Sequence, residues 1–216
     1  MKVYDVIIFD LDGVIIDQST GITDSVKYSL KKFGIDESDN KKLLSFIGPP
    51  LKDSFIKLYS FDEKKALEAV GYFREMYEKK GIHEFKIYDG IITMLSSLRN
   101  KGKKLFIATT KPKKSAEIVL KEGKIFSYFE GIHGDTFSYD ITKTGMISEI
   151  LDNIQKHEYH KVVMVGDRDS DIDAAAKNKI DSIGVTYGFG SVNELENAFA
   201  THIVKSVEEL KLILER

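Results

Sequence analysis

Asp10 and Asp12, two residues apart, follow the run Val3-Tyr4-Asp5-Val6-Ile7-Ile8-Phe9, whose apolar, β-branched character predicts a strand buried on both faces. A strand ending there crowds two carboxylates into one small space. At an effective dielectric near ~20, like charges ~4 Å apart repel by about 4 kcal/mol. That is a large part of the roughly 5–15 kcal/mol by which a domain is stable. The pair therefore requires a nearby cation, or a proton on one carboxyl. Three further polar segments have complementary chemistry. Thr109 closes a second apolar run and is followed by Thr110-Lys111-Pro112. Lys143 ends Tyr139-Asp140-Ile141-Thr142-Lys143, just before a helical pattern. Gly166-Asp167-Arg168-Asp169-Ser170-Asp171 directly follows another apolar run. Acids, a hydroxyl and an ammonium converging on one edge suit a hard divalent cation and a phosphoryl group. Mg²⁺ prefers oxygen ligands, and typically takes one or two carboxylates plus substrate phosphate.

The elements that must position these residues alternate along the chain. Lys104–Ala108, Lys161–Val165, Ser182–Val185 and His202–Val204 read as strands, with a weaker run at Gly131–His133. Amphipathic stretches lie between them at Gly90–Asn100, Lys113–Glu122, Met146–Gln155, Asp171–Asn178 and Val207–Leu214. This alternation predicts an α/β fold, a parallel sheet with helices on both faces, whose sites sit at the carboxyl ends of the strands. Residues 18–85 break the rhythm. They carry only helical periodicity, in Ile22, Val26, Leu30 and Phe33 and again in Leu67, Val70, Phe73 and Tyr77, and predict an inserted helical subdomain. Residues 1–17 and 86–216 then make up the core, and an insertion beside Asp10 and Asp12 is placed to act as a lid.

The chain has 216 residues, 42% of them apolar and 11% aromatic, enough for a packed core. A formal net charge of −2 with mixed signs argues against nucleic acid or an anionic membrane as partner. The absence of cysteine excludes disulfides, thiolate metal sites and a cysteine nucleophile. No apolar stretch approaches the ~18 residues of a membrane span, and no signal-peptide pattern precedes the first strand. A cytoplasmic protein, monomeric or a small homo-oligomer, is the expectation.

With Asp10-Leu11-Asp12-Gly13-Val14-Ile15-Ile16-Asp17, Thr109, Lys143 and Gly166-Asp167-Arg168-Asp169-Ser170-Asp171 in this order, the chain resembles the haloacid dehalogenase superfamily of phosphatases over essentially its whole length. The insertion resembles the family's helical cap of the first type. Tyr88-Asp89-Gly90 and Tyr187-Gly188-Phe189-Gly190 resemble its phosphoglycolate phosphatase and 5′-nucleotidase-like branch. The resemblance implies a Rossmann-like three-layer core with strand order 3-2-1-4-5, with room for a further edge strand. It also implies a Mg²⁺-dependent phosphatase acting on a small phosphorylated metabolite. Asp10 would be the nucleophile that becomes an aspartyl-phosphate, and Asp12 the general acid and base. Thr109 and Lys143 would stabilise the transferring phosphoryl group. Asp10, Asp167 and the carbonyl of Asp12 would hold the metal, with Asp171 orienting from outside that shell. Gly13, Thr110, Gly48 and Arg74 would be candidates for substrate contact.

Each residue also has a plainer reading. Thr109 before Lys111-Pro112 fits turn chemistry, and Lys143 fits a solvated helix start. Asp169 and Asp173 compete with Asp167 and Asp171, and Arg74 can pair with an acid on its own helix. Asp17 is expected to start the first helix of the insertion. Lys111, Lys113 and Lys114 either draw anions or form a solvated helix start, and the five histidines show no metal-ligand spacing. Two other functional classes fit the same residues: a phosphosugar mutase of the same superfamily, and a non-catalytic phosphoryl-binding regulator like a receiver domain.

Overall fold

The structure is a computed structural model and describes residues 2–136 and 142–216. The chain divides into two compact units, Met1–Asp17 with Ile87–Arg216, and Gln18–Lys86. In chain order the elements are β1 (Val6–Phe9), β2 (Ile16–Asp17), α1 (Ser19–Lys31), α2 (Asn40–Leu44), α3 (Leu51–Tyr59), α4 (Glu63–Lys79), β3 (Lys86–Ile87), α5 (Ile91–Asn100) and β4 (Lys104–Pro112). There follow α6 (Lys113–Glu122), β5 (Gly131–Asp135), α7 (Lys143–Leu151), β6 (Val162–Gly166), α8 (Asp169–Lys177), β7 (Asp181–Val185), α9 (Val192–Asn197), β8 (His202–Val204) and α10 (Val207–Leu214).

The larger unit is a six-stranded parallel sheet in the order β5-β4-β1-β6-β7-β8. This is the expected 3-2-1-4-5 arrangement with the extra edge strand present as β8. β1 lies at the centre, every residue buried, paired on one side to β4 and on the other to β6. Its alternate residues Val6 and Ile8 join Ala108, Val162 and Met164 under Met146, Ile147, Ile150 and Leu151 of α7 and Ala174 and Ala175 of α8. By the two-residue period of a strand, Ile7 and Phe9 face the opposite layer. A strand apolar on both faces, as read from the sequence, is thus buried on both, with α7 and α8 over one of them. Small Ala174 and Ala175 let α8 approach the sheet closely.

β4 is irregular toward its carboxyl end. Its register with β5 is regular from Phe106↔Gly131 to Thr109↔Gly134, then jumps to Pro112↔Asp135. Thr110 and Lys111 therefore have no opposite number in β5, a bulge at the carboxyl end of the strand. Bulges bend a strand and re-aim its side chains, and they recur next to functional sites.

The smaller unit is helical. α1 and α4 pack along each other, and the Ser29 hydroxyl donates to the Ala69 carbonyl at 2.7 Å. Phe33, Phe46, Phe55, Tyr59 and Phe61 form a continuous aromatic core. The two ends of the unit are tied by fully buried Gln18, whose amide donates to the carbonyls of Gly81 (3.2 Å) and Ile82 (3.0 Å) while its carbonyl accepts from the Tyr77 hydroxyl (2.8 Å). An amide buried without such partners would cost about 1–3 kcal/mol. Gln18, not Asp17, stands before α1, and Asp17 lies in β2. The expectation for Asp17 is corrected: it closes β2, and Gln18 takes the position before the helix.

Ile8 is fully buried in the central strand, so Ile8→Ala leaves a cavity under α7 and α8. It should lower unfolding free energy by about 2–5 kcal/mol. Urea denaturation checks this, the expected result being a lower midpoint at unchanged m-value.

Candidate active site

Parallel pairing brings the site together. Phe9 lies level with Val165, and the Asp10 amide donates to the Val165 carbonyl at 2.9 Å, so Asp10 and Asp167 leave their strands side by side. Both are almost fully buried, as are Thr109, Lys143 and Asp171. Asp10 Oδ1 accepts the Leu11 amide at 2.7 Å, and Asp10 Oδ2 lies 2.9 Å from Lys143 Nζ. The same ammonium donates to Asp171 Oδ1. Thr142 places Lys143: its hydroxyl accepts the Gly145 amide at 3.2 Å and makes Lys143 the first residue of α7.

Asp171 is the third residue of α8, and its second oxygen accepts the Arg168 amide at 3.1 Å, capping the helix that it begins. Helix α8 accordingly starts at Asp169, two residues before the start read from periodicity. Glu194 holds this turn from outside, accepting from Arg168 Nε at 2.8 Å and from the Asp169 amide at 3.0 Å. Exposed Asp169 therefore belongs to the loop and helix start, as Asp173 belongs to the outer surface of α8.

Asp167 is enclosed by main chain. Its Oδ2 accepts the Phe189 amide at 2.7 Å. A Cβ at Gly13, where φ is +86°, would lie 2.2 Å from Asp167 Oδ2, and one at Gly188 would lie 2.6 Å from Asp167 Cβ and 2.4 Å from the Gly13 carbonyl. Only glycine fits these two positions. The turn carrying Gly13 is closed by the Ile15 and Ile16 amides donating to the Leu11 carbonyl, at 3.0 and 3.1 Å. Tyr187 anchors it, donating to the Val14 carbonyl at 3.1 Å and resting edge-on against Tyr88.

Carboxylate oxygens of Asp10, Asp167 and Asp171 lie within 4.8 Å of one another. Asp167 Oδ1 is buried and has no hydrogen-bond partner among the described residues. Burial, with Asp171 and Asp10 nearby, raises the Asp167 carboxyl from 3.8 to about 8. Burial also raises Asp171, against the pull of Lys143. Burial pushes the Lys143 ammonium down, but the Asp10 and Asp171 carboxylates more than reverse this and hold it above its ordinary value. Asp10 and Asp171 share one ammonium, and Asp167 stands beside them with one unpartnered oxygen: these residues fit a divalent cation.

Asp12 has a different partner. Its Oδ2 lies 3.0 Å from Lys111 Nζ, both side chains nearly buried. Burial raises its carboxyl, opposed first by Lys111. Lys111 is not a solvated helix-start residue, unlike exposed Lys113 and Lys114, and that expectation is corrected for it. Nor is Lys143 solvated. The Lys111 amide donates to Thr109 Oγ1 at 3.3 Å, which fixes the hydroxyl within the bulge beside half-buried Thr110. The missed signal was strand alternation, since Lys111 lies two residues beyond Thr109. Gly48, with φ +105°, and Arg74, in α4, lie in the Gln18–Lys86 unit. Tyr139, Asp140 and Ile141, which precede Lys143 in its motif, lie outside the described residues. Among the histidines, His133 pairs with Glu149 at 3.0 Å.

Comparison with known proteins agrees with this geometry. The family model described as "Haloacid dehalogenase-like hydrolase" matches residues 7–185. The chain belongs to the haloacid dehalogenase-like hydrolases. It is 38% identical over 213 residues to a protein of Pseudomonas aeruginosa named 5′-nucleotidase, covering 98% of this chain and 96% of that one. It is 29% identical to a phosphoglycolate phosphatase of Aquifex aeolicus, covering 87% of each. A crystal structure described as a predicted phosphatase from Clostridium acetobutylicum superposes with a TM-score of 0.92 at 45% identity, covering 97% of both chains. Among the described residues no helix is long and apolar enough to cross a membrane.

The raised Asp167 carboxyl has a consequence for metal-free protein. The folded state holds a proton that the unfolded state releases near 3.8, so this contribution to stability is full below pH 3.8 and declines as pH rises toward about 8. Melting temperature in chelator should fall across that interval. Asp167→Asn should flatten the fall, and added Mg²⁺ should raise the melting temperature more at high pH than at low. Differential scanning fluorimetry against pH, with and without chelator, reads all three.

Proposed function

We propose that the protein is a Mg²⁺-dependent phosphatase that hydrolyses a small phosphomonoester through an aspartyl-phosphate on Asp10. The observation that carries this reading is the Asp10–Lys143–Asp171 bridge beside the unpartnered oxygen of Asp167, at the carboxyl ends of β1 and β6. Asp10 and Asp167 with the Asp12 carbonyl would hold the cation. When bound, Mg²⁺ offsets negative charge on the phosphoryl oxygens. The Asp10 carboxylate, oriented by the Leu11 amide and Lys143, attacks phosphorus while the bond to the leaving oxygen breaks. Asp12 gives that oxygen a proton and then takes one from the water that hydrolyses the acyl phosphate. Thr109 and Lys143 donate to the equatorial oxygens of the loose transition state, and Asp171 keeps Lys143 in place.

The 5′-nucleotidase and phosphoglycolate phosphatase names of the relatives make nucleoside 5′-monophosphates and phosphoglycolate the substrates to test first. The Gln18–Lys86 unit, which leaves the core directly after this motif, is the part of the chain proposed to choose the leaving group, with Gly48 and Arg74 as contacts.

With Mg²⁺, wild-type protein should release phosphate from p-nitrophenyl phosphate, and chelator should abolish release. Asp10→Asn should lower kcat by at least about 10³-fold. Absence of release in wild type, or unchanged release in the variant, overturns the reading. A panel of phosphorylated metabolites then ranks the substrates by kcat/KM.

A further inference from the structure

The strand-end aspartates are served by different lysines. Lys143 serves Asp10, as the proposed mechanism uses it. Lys111 serves Asp12, at 3.0 Å, and the mechanism gives it no part. Three observations set Lys111 apart from an ordinary ion pair. Its side chain is as buried as that of Lys143. It occupies the β4 bulge, where the strand departs from its register with β5 directly after Thr109. And it binds only one oxygen of Asp12: Oδ2 meets the ammonium, whereas Oδ1 is buried and makes no hydrogen bond among the described residues.

A carboxyl two single bonds from the main chain has three staggered χ1 wells. Buried lysine on one oxygen selects a well and leaves the other oxygen as the one that can exchange a proton. We propose that Lys111 is the positioning residue for Asp12, fixing its carboxyl so that Oδ1 meets the leaving oxygen. The inference rests on the reading of Asp12 as proton donor. In the step concerned, an Asp10 oxygen bonds to phosphorus, the bond from phosphorus to the leaving oxygen breaks, and the proton on Asp12 passes to that oxygen. Lys111 touches neither phosphorus nor the leaving group. Removing it leaves the attack intact and the proton misplaced.

Leaving groups of different basicity separate these effects. 2,4-Dinitrophenolate departs without a proton, whereas an alkoxide requires one. With enzyme in excess over substrate and Mg²⁺ present, single-turnover cleavage of 2-hydroxyethyl phosphate by Lys111→Met should fall about 10²-fold, while cleavage of 2,4-dinitrophenyl phosphate should change by less than about threefold. Lys111→Arg should restore most of the alkyl rate. In an Asp12→Asn background Lys111→Met should have no further effect, because residues acting as one unit are not additive.

Equal losses on both substrates would overturn the proposal in favour of a general structural role. A loss on phosphoglycolate but not on 2-hydroxyethyl phosphate would overturn it in favour of direct recognition of a substrate carboxylate. If Asp12→Asn keeps the alkyl rate, or wild type cleaves the dinitrophenyl ester but no alkyl phosphate, the proton-donor reading falls and the inference with it. If Asp12→Asn loses the alkyl rate and Lys111→Met keeps it, the inference alone falls.

Discussion

Charge neutralisation beneath the sheet edge is the constraint on which the structure depends. Asp10, Asp12, Asp167 and Asp171 are packed there with two cations, Lys111 and Lys143. Burial raises the Asp12, Asp167 and Asp171 carboxyls, so the protein alone does not hold them all as anions comfortably. Were all four ionised, the two lysines would leave two negative charges, which a divalent cation or protons must offset. An uncompensated buried charge destabilises a fold by several kcal/mol, and here the deficit is concentrated at Asp167, whose carboxyl has an amide on one oxygen and no partner on the other.

The architecture answers that constraint by dividing labour among the strands. β1 and β6 bring the acids to one level, because their parallel register puts Phe9 beside Val165. β4 supplies Thr109 and, through its bulge, Lys111. Helix α7 supplies Lys143 from its first turn, and α8 supplies Asp171. No single element carries a complete set, so the site exists only when the sheet is assembled.

The sheet was legible in the sequence because its signals are local: runs such as Val162–Val165, apolar on both faces, separated by amphipathic helices. The extra edge strand was readable too, in His202–Val204. The positions of Asp10, Thr109, Lys143 and Asp167 were readable because each stands at the end of an apolar run or the start of a helix. What was not legible depends on register and close approach. Strand alternation gives the side on which Lys111 lies, but its pairing with Asp12 also needs the bulge between Thr109 and Pro112, which is a matter of register. The contact of the Phe189 amide with Asp167 needs two loops distant in sequence to meet through glycines. Asp17 was misread because strand β2 competed with helix capping and continued through it.

The enclosure of Asp167 by Gly13 and Gly188 bears on how such a protein can be altered. The carboxylate is shaped by backbone, which no substitution changes except by displacing it. Mutation at those two positions can remove the acidic centre but cannot retune it. Variation is left to residues outside that enclosure, so the surroundings of the acidic centre can change while the centre itself stays as it is.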